Sequence, residues 1–425
     1  MLQKKSRSSP PNFILQYIFK PWQQMDLPLL FLTVAVTIFG GIMIRSTQPN
    51  KVVDDCLWHW ITGGVGIFFA LILARVPYQN WLKFHWLIYT ITNLSLIAVL
   101  VTGMSVKGAQ RWINIFGFYF QPSEFAKIGI ILTIAALLQK HTAHKLKHVF
   151  KVLAFTELPW LLVFRQPDLA TSLVFGAIVL GMLYWANANP CWLLLLISPV
   201  IAAILDNLFK PGWIIWSIFM GVLAWLCLPW QRFGISALGG LSLNLFGGEL
   251  GAFAWNNILK PYQKTRLTVF LNPEQDTLAS GYHQVQSKIA IGSGQLWGWG
   301  LNQGPMTQLG FVPEQHTDFI FSAVGEQLGF IGCVITISIF CLICLRILHI
   351  AQTASDNCGS LLAAGVLSMI LFQTVVNIGM TIGLVPVAGI PLPWMTYGRS
   401  AMLTNFIGIG LVESVANFRN QRKYY

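Results

Sequence analysis

Apolar runs of roughly membrane-spanning length recur along the whole chain, and most charged residues lie between them. A helix needs about 20 residues to cross the hydrocarbon core of a bilayer. Ten clear runs occupy residues 27–44, 57–74, 87–101, 125–138, 169–185, 192–205, 213–228, 328–350, 361–385 and 401–416. Two weaker runs, 152–164 and 233–253, would raise the number to twelve. The pattern predicts an all-α polytopic membrane protein with about 10–12 transmembrane helices.

The composition argues against a soluble protein. Charged residues make up 10% of the 425 residues, against about 25% in an average soluble domain. The formal net charge of +12 comes from Lys and Arg in short loops beside apolar runs, where the preference of basic residues for the cytoplasmic side explains it. We therefore expect no nucleic acid partner. One membrane domain is predicted at 26–417, between a cytoplasmic N-terminal segment, 1–25, and a cytoplasmic tail, 418–425.

Two basic segments depart from this charge distribution. With both termini in the cytoplasm, the segment 104–121 and a large polar loop at about 259–325 fall on the extracytoplasmic face. The first carries Lys107 and Arg111, and the second carries Arg266 among its basic residues. Positive charge outside the membrane suggests that an anion binds there. The alternative for the large loop is that long loops translocate whatever their charge.

Glu124 and Lys127 lie just inside an apolar helix, in the stretch QPSEFAKIG. Pro122 and Ser123 are typical of a helix start. The two charged residues are three apart, so they share one helical face. Charges at this depth are costly unless they pair or line a wet cavity. Two alternatives stay open: an ion pair that locks the helix to a neighbour, and a pair placed at a polar groove.

Asp168 follows Pro167 in RQPDLATS, immediately before an apolar run. An Asp at this position is a favoured N-cap, and its charge suits the helix dipole. We predict a capping role for Asp168.

The large loop offers four candidate groups for chemistry: Asp276, Glu314, His316 and Asp318. A loop carboxylate at the membrane surface could accept a proton from a hydroxyl group. The last three alternate in PEQHTDF and could be metal ligands, although a loop hydrogen-bond network is the more common role. The residues alone do not rank these candidates.

The stretch 377–403 contains three prolines between two apolar runs, which predicts an irregular re-entrant turn near the outer face. Such broken segments often line cavities, and a plain interhelical loop is the alternative. Tyr397 and Arg399 lie at its end.

Five motifs, in this order and at these separations, carry a resemblance to a known family: QPSEFAK, QPDLATS, DTLASGYHQVQSKIAIGSG, PEQHTDFIFSAVGEQLGFIG and GIPLPWMTYGRSA. Together they resemble the SEDS family (shape, elongation, division and sporulation) of bacterial cell-wall proteins. The resemblance extends from Asp26 to about Val415. The motif sequences resemble those of the elongation member more than those of the division member.

The resemblance implies a glycosyltransferase of the bacterial plasma membrane that polymerises lipid II into peptidoglycan strands on the outer face. It implies a class B penicillin-binding protein and the elongation machinery as partners, beside the membrane lipid itself. The essential family carboxylate matches Asp276, and the family's Glu and Lys pair matches Glu124 and Lys127. The chain departs from the family pattern at Thr277 and Ala279, beside Asp276, and at Arg399, where the family has a small residue.

We expect Asp276 to be the general base of this reaction. Cationic groups or a divalent cation, Mg or Mn, would offset the charge of the departing diphosphate. The expected substrate-binding residues are Glu124, Lys127, Arg111, Arg266 and Tyr397. The expected supporting residues are Glu314, His316, Asp318 and Asp168. A lipid II flippase and a non-catalytic scaffold for the penicillin-binding protein remain as alternatives.

Overall fold

A computed structural model describes most of the chain. It covers residues 22, 24–48, 54–106, 109–115, 117–139, 143–166, 168–208, 210–227, 235–257, 264, 270 and 280–419. Asp276, Thr277, Ala279 and Arg266 lie outside the described residues.

Helices dominate the described part of the chain. They are α1 Leu27–Ser46, α2 Asp54–Arg75, α3 Tyr78–Lys83, α4 His85–Thr102, α5 Pro122–Leu138, α6 Leu146–Arg165, α7 Leu169–Trp185, α8 Pro190–Leu208, α9 Lys210–Cys227, α10 Ile235–Asn257, α11 Ser280–Ser293, α12 Pro305–Gln308, α13 Ile320–Thr353, α14 Asn357–Ile382 and α15 Arg399–Phe418. Every predicted apolar run, including the two weaker ones, overlaps one of the long helices.

Six of the described helices, α1, α2, α4, α13, α14 and α15, are long and apolar enough to cross a membrane. Three shorter apolar helical segments lie at Leu169–Trp185, Pro190–Asp206 and Pro211–Cys227. The prediction of an all-α polytopic membrane protein is confirmed.

A small sheet that we did not predict connects α4 to α5. It is an antiparallel meander of β1 Met104–Val106, β2 Ala109–Ile115 and β3 Phe118–Phe120, with β2 in the middle. Gly117 has φ 83° at the β2–β3 turn, a conformation that glycine adopts without strain. The meander brings β2, and with it Arg111, over the start of α5.

Long-range hydrogen bonds define the two ends of the helix bundle. Asp26 precedes α1 and is bonded to Arg346 of α13 and Glu413 of α15. We call this the Asp26 end. At the other end of α1, the Thr47 carbonyl accepts a hydrogen bond of 2.6 Å from Gln315. This is the meander end, because α5 begins there beneath the sheet.

Helix α13 begins at Ile320, eight residues before the predicted apolar run. It consists of two helical pieces that meet at Gly329, where the backbone is not helical. Gly329 has φ 66°, and a Cβ on it would overlap the neighbouring loop backbone. The glycine-rich loop supplies the backbone partners that the break releases: Trp299 N donates to Glu326 O (3.0 Å) and Phe330 N to Gln295 O (2.8 Å). The glycines of this loop therefore serve close backbone contact.

Candidate functional site

Three helix starts meet at the meander end. Gln121, which precedes α5, donates from its backbone N to Ser400 Oγ at the start of α15 (3.0 Å). The Gln121 side chain donates to Asp168 Oδ2 at the start of α7 (3.3 Å). Helix amino-termini carry partial positive charge. Three of them in one place favour an anion.

Asp168 joins the start of α7 to the meander. Its carboxylate accepts from Thr171 N (3.2 Å) and Thr171 Oγ1 (2.9 Å), which confirms the predicted N-cap. Arg111 of β2 lies 3.6 Å from the same carboxylate, and the Asp168 side chain is 2% exposed. Asp168 therefore holds Arg111 beside the three helix starts as well as capping α7.

Glu124 and Lys127 form a buried ion pair within α5. Lys127 Nζ lies 2.7 Å from Glu124 Oε2, and the two side chains are 1% and 5% exposed. Both residues belong to the same helix, so this contact does not tie α5 to a neighbouring helix. Of the two alternatives open at the sequence level, the contact does not itself form the interhelical lock.

Further buried polar side chains lie at the same depth. Gln373 of α14 and Thr404 and Asn405 of α15 are at most 1% exposed. Both amide atoms of Gln373, Thr404 Oγ1 and Asn405 Oδ1 find no hydrogen-bond partner within the described part of the chain. Buried polar atoms are rarely left unpaired. These three residues therefore mark a polar layer inside an otherwise apolar bundle.

The packing around Gly408 shows the depth of this layer. A Cβ on Gly408 of α15 would lie 3.7 Å from Ile128 Cδ1 of α5 and 3.6 Å from Met369 Cε of α14. Gly408, Ile128 and Met369 therefore lie at one depth. One helical turn nearer the meander end, the corresponding residues are Thr404 on α15, Glu124 on α5 and Gln373 on α14. We did not predict this layer, although polar residues within apolar runs are a usable signal in the sequence.

Tyr397 and Arg399 form an aromatic and cationic cluster beside the start of α15. Arg399 Nε donates to Tyr397 Oη (3.2 Å), and its guanidinium carbon lies 4.5 Å from the centre of the Trp58 ring. The Tyr397 backbone N donates to His316 O (3.1 Å). Burial raises the pKa of the Tyr397 phenol above its usual value. Tyr397 is thus a neutral hydrogen-bonding group at physiological pH.

The irregular segment between α14 and α15 is packed into the protein. Ile390, Leu392 and Trp394 are at most 2% exposed. Asn377 Nδ2 donates to Ile390 O (2.7 Å) and to Asp318 O (2.9 Å). A buried, irregular backbone fits the predicted re-entrant turn rather than the plain loop.

Glu314, His316 and Asp318 lie in the turn before α13. The Glu314 carboxylate accepts from Thr317 Oγ1 (3.2 Å), and the His316 and Tyr397 rings are 6.5 Å apart. Across the residues that the structure describes, there is no group of three or more His, Cys, Asp or Glu that could hold a metal ion. The three residues support the loop here and do not form a metal site with other described residues.

Glu326 is a buried carboxylate that the sequence analysis did not single out. It is 0% exposed. It accepts from Met306 N (2.6 Å), Thr307 N (2.9 Å) and Thr307 Oγ1. Its charge caps the short helix α12 and fastens the large loop to α13.

The chain matches the model of a known protein family and is similar to named relatives over most of its length. The model of the FtsW, RodA and SpoVE family, described as cell cycle proteins, matches residues 25–210 and 211–421. The peptidoglycan glycosyltransferase RodA of Treponema pallidum is 34% identical, over 92% of this chain and 97% of its own. The peptidoglycan glycosyltransferase MrdB of Escherichia coli K12 is 31% identical, over 93% and 94%.

Solved structures are similar over almost the same extent. A chain from a peptidoglycan synthase complex that coordinates polymerization and crosslinking has a TM-score of 0.69 at 26% identity, covering 94% of this chain and 100% of that one. The crystal structure of Thermus thermophilus RodA has a TM-score of 0.62 at 23% identity, covering 94% and 99%. At 23% identity, the similarity to Thermus thermophilus RodA supports the fold alone.

Proposed function

Because the chain belongs to the FtsW, RodA and SpoVE family, we propose that it is a peptidoglycan glycosyltransferase that polymerises lipid II during cell elongation. The observation that carries this is similarity over nearly the full length to relatives named peptidoglycan glycosyltransferases. The elongation role is our choice between the branches of the family, and the sequence motifs favour it.

The chemistry at the meander end supports a diphosphate-bearing substrate. Three helix amino-termini provide partial positive charge. Arg111 and Lys127 lie at the same end, where each is held by a carboxylate. Arg399 adds a guanidinium whose planar fork suits phosphate oxygens. Cationic and dipolar groups of this kind stabilise the charge that develops on a departing diphosphate.

In the proposed reaction, an acceptor sugar hydroxyl attacks the anomeric carbon of the donor. The oxygen–carbon bond forms while the bond from that carbon to the diphosphate breaks, and the bonding pair leaves with the diphosphate. A general base removes the hydroxyl proton. We assign this role to Asp276, with Arg266 as a further cation, on the family resemblance; both lie outside the described residues.

A divalent cation would fit this reaction class, but the described carboxylates do not favour a resident one. Glu124 is already paired with Lys127, and Asp168 with Arg111. Neither carboxylate is therefore free to hold a Mg or Mn ion without losing its basic partner.

We propose that the meander end is extracytoplasmic and that both termini are cytoplasmic, in the bacterial plasma membrane. The exposed basic residues of the Asp26 end support this orientation. They include Lys83, Lys145, Lys147 and Lys151. A class B penicillin-binding protein is the proposed partner, since the similar solved chain comes from a complex for polymerization and crosslinking.

Polymerisation of lipid II by the purified chain in detergent tests the function. We expect glycan strands from the wild type and none from Asp276→Ala. Glu274→Gln, two residues away in the same loop, is the matched control and should keep its activity. Substantial product from a folded Asp276→Ala protein would remove Asp276 from the role of base, and no product from the wild type with its partner present would argue against the enzyme.

The same assay separates the alternative functions. The buried polar layer of Gln373, Thr404 and Asn405 would also suit a transport path for lipid II. Glycan formed in detergent, where there are not two compartments, is polymerisation and not flipping. A scaffold would leave wall synthesis intact in cells that carry Asp276→Ala. Rescue of rod shape in elongation-deficient cells, without rescue of division, would support the elongation role.

A further inference from the structure

A cavity of about 790 Å³ lies at the Asp26 end, away from the site described above. It opens between the segment before α6 and the turn that joins α7 to α8. Ala143 N donates to Ala186 O (3.0 Å), which holds these two segments together. His144, Tyr184, Trp185, Asn187 and Trp192 are among the residues that line it.

The cavity wall is both aromatic and polar. Trp185 is fixed, because its Nε1 donates to Ser360 Oγ of α14 (2.7 Å). Trp192 Nε1 is buried and finds no acceptor in the described part of the chain. Tryptophan and tyrosine prefer the membrane interface, where their rings contact lipid and their polar atoms meet headgroups.

The electrostatic surroundings favour an anion. Helix α8 has 19 residues and begins at Pro190, on the cavity wall. Its first-turn N–H groups already donate to Asn189, from Cys191, Trp192 and Leu193. His144 is followed by three exposed lysines: Lys145, Lys147 and Lys151. Neither 139–156 nor 184–205 contains an Asp or Glu. Lys145, Lys147 and Lys151 do not line the cavity, but they make the segment that contributes His144 to its wall basic, and neither segment contains a carboxylate.

Apolar surface continues from the cavity along the helices. Phe150 of α6 is 59% exposed and Leu194 of α8 is 50% exposed. Both lie within about two turns of the helix starts that border the cavity. A free phosphate would make no use of this surface, whereas an acyl chain would cover it.

We propose that this cavity binds the phosphate headgroup of an anionic phospholipid from the leaflet at the Asp26 end, with the acyl chains against Phe150 and Leu194. Basic pockets between membrane helices bind such headgroups. The lipid would hold the α6 start and the α7–α8 turn together. This role does not depend on glycosyltransferase activity.

Lipid titration of the full-length protein in detergent tests the proposal. Binding is measured by native mass spectrometry with phosphatidylglycerol and with phosphatidylcholine of the same acyl chains. We expect tight binding of phosphatidylglycerol only. The double change Lys145→Ala with Lys147→Ala should weaken it about thirtyfold, the effect of two basic residues near an anionic surface. Trp192→Phe removes the N–H donor together with one of the two fused rings and should weaken it about fivefold.

Lys83→Ala is the matched control, because Lys83 is an exposed lysine at the same end, on a segment that contributes no residue to the cavity wall. It should leave the affinity for phosphatidylglycerol unchanged; an equal loss would show general surface attraction and overturn the proposal. Equal binding of phosphatidylcholine would also overturn it. Displacement of the lipid by millimolar inorganic phosphate would show a free-phosphate site instead. If the double variant fails to fold, the Trp192→Phe result decides alone.

Discussion

Each end of the bundle contains an ion pair with a buried carboxylate, but the pairs differ in their connections and in the exposure of the cation, which is 40% for Arg346 and 1% for Lys127. At the Asp26 end, Arg346 makes two bonds to Asp26, 2.6 Å from Nη2 and 3.1 Å from Nε. The Asp26 backbone N in turn donates to Glu413 Oε2 (2.8 Å). This cluster joins the start of α1 to α13 and α15. At the meander end, Lys127 and Glu124 pair within α5 alone.

The difference separates a stabilising role from a functional one. The Asp26 cluster crosslinks three helices, so the stability of the bundle accounts for it. The Lys127–Glu124 pair connects no helices, yet it bears the cost of burying two charges. It also lies at the depth of the unpaired polar layer of Gln373, Thr404 and Asn405. Its position fits the proposed role in substrate binding, and the variants below test that role against a structural one.

The largest expected effect comes from Lys127→Met. Removal of the cation leaves Glu124 buried without its partner, so both the melting temperature and the polymerisation rate should fall. The rate should drop about 100-fold or more, as when one preorganised electrostatic group is lost. Thermal unfolding and lipid II polymerisation, measured on the same preparation, give the two values.

The double variant Glu124→Gln with Lys127→Met separates the two losses. It removes both charges, so the melting temperature should recover towards the wild type. The rate should stay low. Recovery of the rate together with stability would mean that the pair is only structural.

Arg346→Ala should lower the stability of the protein but leave its polymerisation rate nearly unchanged. It leaves the buried Asp26 carboxylate without its charged donor, which costs about 2 kcal/mol of stability. The rate per folded molecule should stay within about twofold of the wild type. Arg346→Lys keeps the charge but loses the two-pronged bond, and should fall between the two in melting temperature. A rate loss as large as that of Lys127→Met would end the contrast between the two ends.

Asp168 combines both roles, and two substitutions separate them. Asp168→Asn keeps an N-cap for α7, whereas Asp168→Ala loses it at a cost of about 1 kcal/mol. Both remove the carboxylate that lies 3.6 Å from Arg111. We therefore expect a lower melting temperature only for Asp168→Ala and a similar rate loss, about tenfold, for both. A normal rate in Asp168→Asn would show that the cap alone matters.

Tyr397→Phe should have the smallest effect. It removes the acceptor of Arg399 Nε, a loss of about 1 kcal/mol. Because burial raises the pKa of Tyr397, its phenol keeps its proton below the usual value of about 10. The rate profiles of wild type and Tyr397→Phe between about pH 6 and 9 should therefore have the same shape. A basic limb present only in the wild type would contradict this assignment.

Local features of the site could be predicted from the sequence. The spacing of Glu124 and Lys127 brings them within reach on one helical turn, and the cap at Asp168 depends on residues three positions away. The meander was missed because its strands are three to seven residues long and lie between two strong helical signals. Glu326 was missed because its partners, Met306 and Thr307, come from a separate loop.

By itself, the sequence determined the helices and their membrane character, because an apolar run must be long enough to cross the hydrocarbon core of a bilayer. Only the tertiary structure decided what surrounds them. Gln121 meets Ser400 across 279 positions, and Arg346 meets Asp26 across 320. Contacts at such separations depend on how the helices pack and not on local propensity, so no pattern within one run could have revealed them.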